Sequence, residues 1–242
     1  MEYSFEKLTD KIYVCASTNH RFGTDAFLLT HFSNYRRKDK VCDLGTGCGI
    51  IPLLMQRKMP PQITYAVDIQ ADAIEQLKLG IEKSEVENIV PINADLKELW
   101  DNAPLGQLDL VTCNPPYKAS GAGILSSGDR DIVARHETMC TLEQVISVGS
   151  SLLRSSGSLC ICQRPERLAD IICLMRQYKV EPKRLRTVSK KQGEEPWLIL
   201  VEGKRDSKSG MRVMPPLFVY DEKGNYSPEM LKIYGPYKEE HL

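Results

Sequence analysis

The chain has no excess charge of either sign, because 32 Lys and Arg are matched by 32 Asp and Glu across its 242 residues. No global field therefore draws it toward a polyanion, and any nucleic-acid surface must be local. No stretch approaches the roughly 18 apolar residues of a membrane span. The first residues, with Glu2, Glu6, Lys7 and Asp10, lack a signal-peptide profile. A cytoplasmic protein without a membrane segment is expected. The 8 cysteines form no C-x-x-C pair and have no histidine-rich companions. Cys160 and Cys162 alternate along one apolar run and so point to one face of a strand. Buried reduced thiols are the expectation, with no metal site, and they suit a reducing compartment. Internal repeats and low-complexity tracts are absent too.

What is there is an alternation of short apolar runs with amphipathic segments, the pattern of an α/β fold whose parallel sheet is wound by helices. A hydrophobic content of 42% supports a substantial core and a single domain over residues 1–242. Strands are expected at 41–44, 63–67, 89–92, 108–113 and 158–162. Helices are expected over 72–83, with Ala73, Ile74, Leu77 and Ile81 on one face, over 142–153, which ends before Ser155-Ser156-Gly157, and over 167–178. The last strands, 180–189 and 196–202, are expected to form an antiparallel hairpin.

Four features fall at the ends of successive expected strands. Val41-Cys42-Asp43-Leu44 runs into Gly45-Thr46-Gly47-Cys48-Gly49, a turn whose glycines let a ligand approach the backbone and whose following helix offers free N–H groups to an anion. The G-x-G-x-G spacing differs from the G-x-G-x-x-G of dinucleotide folds and argues against a nicotinamide dehydrogenase. The second strand ends in Asp68-Ile69, where a carboxylate suits two ribose hydroxyls. The third leads to Asn93-Ala94-Asp95, where an acceptor can take an adenine amino group. The fourth ends in Asn114-Pro115-Pro116-Tyr117. There the Asn114 amide oxygen and the Pro115 carbonyl can each accept one N–H of an exocyclic amine, and Tyr117 can stack on the ring. In a parallel sheet these ends share one crevice.

The order of these motifs resembles the S-adenosylmethionine-dependent N6-adenine methyltransferases. It is most similar to the bacterial tRNA1(Val) adenine-37 N6-methyltransferase family. Arg21-Phe22-Gly23-Thr24-Asp25-Ala26, Asp43 to Gly49, Asn114 to Tyr117, Ala134-Arg135-His136-Glu137 and Pro215-Pro216-Leu217 carry the likeness. The resemblance implies a Rossmann-like class I fold, with a mostly parallel seven-stranded sheet, helices on both faces and an antiparallel terminal hairpin. It implies S-adenosylmethionine as cofactor, held by Phe22, Gly23, Thr24, Asp43, Gly45, Gly47, Gly49, Asp68, Ile69, Asp95 and Asn114. Asn114, Pro115 and Tyr117 would be the catalytic set. Residues 1–40 would cover the cofactor, and residues 204–242 would pack on the core as an extension. Release-factor glutamine methyltransferases share the Asn-Pro-Pro-Tyr logic, but that family carries a helical domain ahead of the Gly turn. A cofactor-binding RNA module without catalysis is the reading from another class, and the intact Asn114 and Tyr117 argue against it.

Two segments break the rhythm. Residues 118–135, rich in Gly and Ser and without periodicity, read as a long loop beside the crevice, either a lid or plain surface. Within it and just after it, Arg130, Arg135 and His136 are candidates to meet phosphate, while Arg135 can equally pair with Glu137 or Asp131 and His136 can be a structural, helix-start residue rather than a base. The stretch 183–212 is basic, with Lys183, Arg184, Arg186, Lys190, Lys191, Lys204 and Arg205. It is either a solvated face or the local grip for a tRNA backbone. Tyr220, Tyr226, Tyr234 and Tyr237 either stack on RNA or, more simply, pack on the core.

Overall fold

The computed structural model describes residues 3–17, 22–98, 107–115 and 141–239. In chain order the elements described are β1 Ser4–Lys7, β2 Tyr13–Ala16, α1 Thr24–Phe32, β3 Lys40–Leu44, α2 Ile50–Lys58, β4 Ile63–Asp68, α3 Ala71–Ser84, β5 Ile89–Asn93 and β6 Leu108–Cys113. They continue with α4 Leu142–Leu152, β7 Leu153–Gln163, α5 Leu168–Gln177, β8 Val180–Ser189, β9 Leu198–Arg205, β10 Arg212–Val213, β11 Leu217–Phe218, α6 Pro228–Tyr234 and α7 Pro236–Glu239.

Side-chain alternation along the strands sets the layers. Val41, Leu110, Cys160 and Cys162 enter one core cluster with α1, α2, α3 and α6. Their neighbours Cys42, Val111, Leu159 and Ile161 enter the other, with α4 and α5. A period of two thus gives the sheet two apolar faces, each covered by helices. The strand order is β10-β8-β9-β7-β6-β3-β4-β5, with β11 also on β8. Strands β3 to β8 run parallel, and β9 lies antiparallel between β7 and β8. The expected seven-stranded sheet with its antiparallel hairpin is present as the inner part of this order. Among the described residues the count is nine, because β10 and β11, of two residues each, pair parallel with β8. They take up hydrogen-bonding groups that β8 would otherwise leave open along its edge.

Two local expectations are also revised, and one element is new. Ser155-Ser156-Gly157 is not a loop but lies within β7, where Ser156 has φ 65° and the β6–β7 register shifts between Leu108 and Leu110. Its turn-forming residues produce a bulge while the strand continues. The helix expected from Arg167 starts at Leu168, after a 3-10 turn over Pro165–Arg167. The hairpin of β1 and β2 forms a separate two-stranded sheet docked on α3, where Gln76 Nε2 donates to the Cys15 carbonyl at 3.1 Å and the Tyr13 N–H donates to Ser84 Oγ at 2.9 Å.

The tyrosines of the tail pack inward. Tyr220 stacks on Tyr226 with centroids 5.2 Å apart, and Tyr234 meets the edge of Phe27 at 5.1 Å. Arg57 donates to the Ile233 and Tyr234 carbonyls at 2.7 and 2.5 Å, satisfying carbonyls that the end of α6 leaves without helical partners.

Gly49 closes the turn after β3 with φ 79°, and a Cβ there would lie 2.2 Å from Cδ1 of the fully buried Leu77 on α3. Left-handed strain and overpacking act together at this position. Gly49→Ala should destabilise the fold by about 2–4 kcal/mol, measured by urea denaturation. The double variant with Leu77→Ala should recover part of that loss by opening the space.

Candidate active site

The parallel strands bring the expected residues to one edge. Leu44 pairs with Val67 and with Cys113, and Asp68 pairs with Asn93, so the turn after β3, the end of β4, the Asn93–Asp95 segment and Asn114 lie in one row. Gly45 and Gly47 have φ of 68° and 55°, and a Cβ on either would meet nothing within 4 Å. The turn therefore presents bare backbone to open space, as a cradle for a ligand requires. Asp68, 6% exposed, braces this turn, with Oδ2 accepting from Gly47 N at 2.8 Å and Oδ1 from Gln70 N at 2.9 Å. Asn93 Nδ2 donates to the Asp68 and Ile69 carbonyls at 3.0 and 2.9 Å, locking the neighbouring strand end. The Ile69 side chain is 40% exposed at this edge, and Asp95 is half-buried.

Beneath the turn, Asp43 is almost fully buried. Its Oδ1 accepts from Thr112 Oγ1 at 2.6 Å, while Asp43 Oδ2 and Thr46 Oγ1 are buried without hydrogen-bond partners. Burial pushes the Asp43 carboxyl up to about 7, against the opposing hydroxyls of Thr112 and of Thr46, which lies beside the carboxyl without meeting hydrogen-bond geometry. A buried carboxylate oxygen and a neighbouring hydroxyl whose hydrogen-bonding capacity is not filled, under an open glycine cradle, fit a small ligand that carries a cationic, hydrogen-bonding group. The amino-acid end of S-adenosylmethionine is such a group.

At the end of β6, Asn114 is half-buried and Pro115 buried. Asn114 Oδ1 accepts from Cys162 Sγ at 3.0 Å. Sequence reading took Cys162 only for a core thiol. The signal for its further role lies in the β6–β7 register, where Cys113 faces Ile161, so that continuing it by one residue brings Asn114 beside Cys162. Tyr117, the 118–135 segment, Arg130, Arg135 and His136 lie outside the described residues.

Phe22, Gly23 and Thr24 stand at the start of α1 against the tail. The Phe22 ring is 6.0 Å from that of Tyr237, and Thr24 Oγ1 shares a 2.7 Å hydrogen bond with the Tyr234 hydroxyl.

The basic stretch does not form the single surface expected of it. Arg184 pairs with Glu202 and donates to the Phe32 carbonyl at 2.8 Å, capping α1. Arg186 grips both carboxylate oxygens of Glu229 at 2.6 and 2.8 Å. Arg205 donates to the Ser150 and Leu153 carbonyls at 2.6 and 2.8 Å, at the end of α4. These three arginines hold the fold together. Strand polarity divides the lysines, with Lys190 and Lys191 just past the carboxyl end of β8, on the edge that carries Asn114. Lys183 and Lys204, with Arg184 and Arg212, line an open groove of about 610 Å³ toward the opposite end. Among the described residues no group of three or more His, Cys, Asp or Glu is arranged to hold a metal, and no helix is long and apolar enough to cross a membrane.

Residues 14–177 match the family model described as methyltransferase small domain. The chain belongs to this family. Among its relatives, a tRNA1(Val) (adenine(37)-N6)-methyltransferase of Porphyromonas gingivalis is 28% identical, over 97% of this chain and 94% of that protein. One of the same name from Parabacteroides distasonis is 27% identical, over 83% and 82%. A predicted O-methyltransferase from Agrobacterium tumefaciens superposes with a TM-score of 0.71 at 18% identity, covering 86% of this chain and 94% of that one. That likeness is one of fold, and it places the methyltransferase small domain on the class I α/β architecture described above.

The raised Asp43 carboxyl makes stability depend on pH. The folded state holds this proton to about 7, whereas the unfolded chain releases it near 3.8. The fold therefore binds more protons between those values, and Asp43's contribution to stability falls as pH rises through that window. Asp43→Asn keeps an acceptor for Thr112 and removes the ionisation. Urea unfolding of the ligand-free protein should show the variant gaining stability over the parent at pH 8 but not at pH 4.

Proposed function

We propose that this chain transfers a methyl group from S-adenosylmethionine to the exocyclic N6 of an adenine in tRNA, with adenosine 37 of a valine tRNA as the substrate. The observation that carries the reading is Asn114, whose amide oxygen stands at the end of β6 in the same row as the open glycine turn. The names of the relatives support the nucleic acid and the atom.

When bound, S-adenosylmethionine supplies a methyl group already activated on sulfonium, which leaves the protein chiefly to position and orient. Gly45 and Gly47 give the close backbone approach. Asp43 Oδ2 and Thr46 Oγ1 would take up the polar amino-acid end, and Asp68 would use lone pairs not engaged by Gly47 and Gln70 for the ribose. Asp95 would receive the cofactor's adenine, Ile69 would pack against it, and the segment ahead of β3, through Phe22 to Thr24, would cover the site. Asn114 Oδ1 accepts from Cys162, which orients the amide. With the Pro115 carbonyl, that oxygen would take the two N–H bonds of the target amine and turn its lone pair out of the ring plane. Tyr117 stacks on the flipped base. The methylated amine is a strong acid once formed and loses its proton to solvent. Lys190 and Lys191, on the same edge, meet the RNA backbone, and a tRNA substrate places the activity in the cytoplasm.

Asn114→Ala should fold and bind S-adenosylmethionine near normally but lower the single-turnover rate on tRNA by about 10²–10³, as for the loss of one preorganised hydrogen-bonding group. Cys162→Ala should lower it less, because the amide then keeps its oxygen and loses only an anchor. A fully active Asn114→Ala enzyme would remove the basis of the reading. Lys190→Glu with Lys191→Glu should weaken tRNA binding and flatten its dependence on salt by about 0.7–0.9 in log–log slope per lost phosphate contact, leaving cofactor affinity unchanged.

A further inference from the structure

We infer that Arg164 and Trp197 form a stacking platform for an unpaired RNA nucleotide adjoining the target base, an interaction surface that rests on the tRNA reading above. Arg164 is the first residue after β7, and Trp197 the last before β9. Because β7 and β9 run antiparallel, with Gln163 opposite Ile199, the two residues project past the sheet at the same place. Arg164 Nη1 donates to the Trp197 carbonyl at 3.0 Å, and the guanidinium carbon lies 5.8 Å from the centre of the indole. Arg164 is exposed; Trp197 is half-buried, resting against the core. Its backbone is fixed as well, through Trp197 N donating to the Val188 carbonyl at 3.0 Å.

Register fixes where this pair stands. Cys162 on β7 meets Asn114 directly, and Arg164 follows two residues later, just past the carboxyl end of β7 on the edge that carries Asn114. The pair is therefore beside the proposed amine site. A guanidinium held over an indole makes a layered, cationic surface on which a base can stack and to which its phosphate is drawn, the combination used on single-stranded nucleic acid. The loop joining β8 to β9 carries Glu194 and Glu195 as well as Lys190 and Lys191. The rim is thus not a uniformly basic field, and stacking has to carry more of the contact than charge does. An adenine presented for methylation must be unstacked from its neighbours, and a platform beside the site gives the adjoining base a replacement surface.

The test is binding of an unmodified anticodon stem-loop to the full chain, by fluorescence anisotropy at several salt concentrations, alongside cofactor titration and thermal melting. Trp197→Ala should weaken RNA binding about 10- to 100-fold, and Trp197→Phe, which keeps a ring, should stay within a few-fold of the parent. Arg164→Gln should weaken it several-fold and reduce the salt slope by no more than about 0.7. Cofactor affinity should not change. Arg164 is at the surface, so Arg164→Gln decides the matter alone if Trp197→Ala melts within the assay range. Parental RNA affinity and salt slope in Arg164→Gln and in any folded Trp197→Ala would overturn the platform, while methyl transfer to tRNA by the parent would leave the functional reading intact. Failure of the parent to methylate tRNA would instead strike at the reading beneath it.

Discussion

Two hydrogen bonds onto one carboxylate organise this molecule. Asp68 accepts from Gly47 in the turn after β3 and from Gln70 at the start of α3, so the ends of two parallel strands and the helix between β4 and β5 are fixed by a single side chain. Hydrogen bonds to an ionised group are worth roughly 1.5–3 kcal/mol each. With Asp68 in place the turn holds its positive φ values, Gly49 can close against Leu77, and the outer side of Gly45 and Gly47 stays open. The carboxylate proposed for a ribose thus also builds the cradle, so that contact and the shape of the turn would depend on one side chain.

A second recurring device is arginine placed at helix C-termini. Arg184 reaches the end of α1, Arg205 the end of α4 and Arg57 the end of α6, each giving donors to carbonyls that have run out of helical partners. Charge that looks like surplus in the sequence is thereby spent inside. What remains for a polyanion is confined to particular places, in keeping with a formal net charge of zero.

Much of the sheet was legible because its strands are apolar runs bounded by turn residues. The run 108–113 was expected and observed with the same bounds, as was 180–189. The glycine turn was legible for a steric reason, since only glycine adopts those φ values without cost. The rest was hidden where local pattern is overruled by a partner distant in sequence. Ser155-Ser156-Gly157 has the composition of a loop, yet pairing with β6 holds it in a bulged strand. Strands β10 and β11 are two residues long and exist only because β8 offers an edge. Arg186 and Glu229 are 43 residues apart, and nothing local announces their pairing. At the candidate site, Asn114 was readable from its motif, but the thiol that anchors its oxygen needed the β6–β7 register.

The central claim is that the amide oxygen of Asn114 and the glycine turn serve one reaction, methylation of an adenine amine. It is tested most directly by incubating the protein with methyl-labelled S-adenosylmethionine and unmodified tRNA, digesting the RNA to nucleosides and locating the label. The account predicts label in N6-methyladenosine, arising from one position of a valine tRNA. Label in another nucleoside, or transfer to a protein glutamine with the tRNA left unmodified, would contradict it.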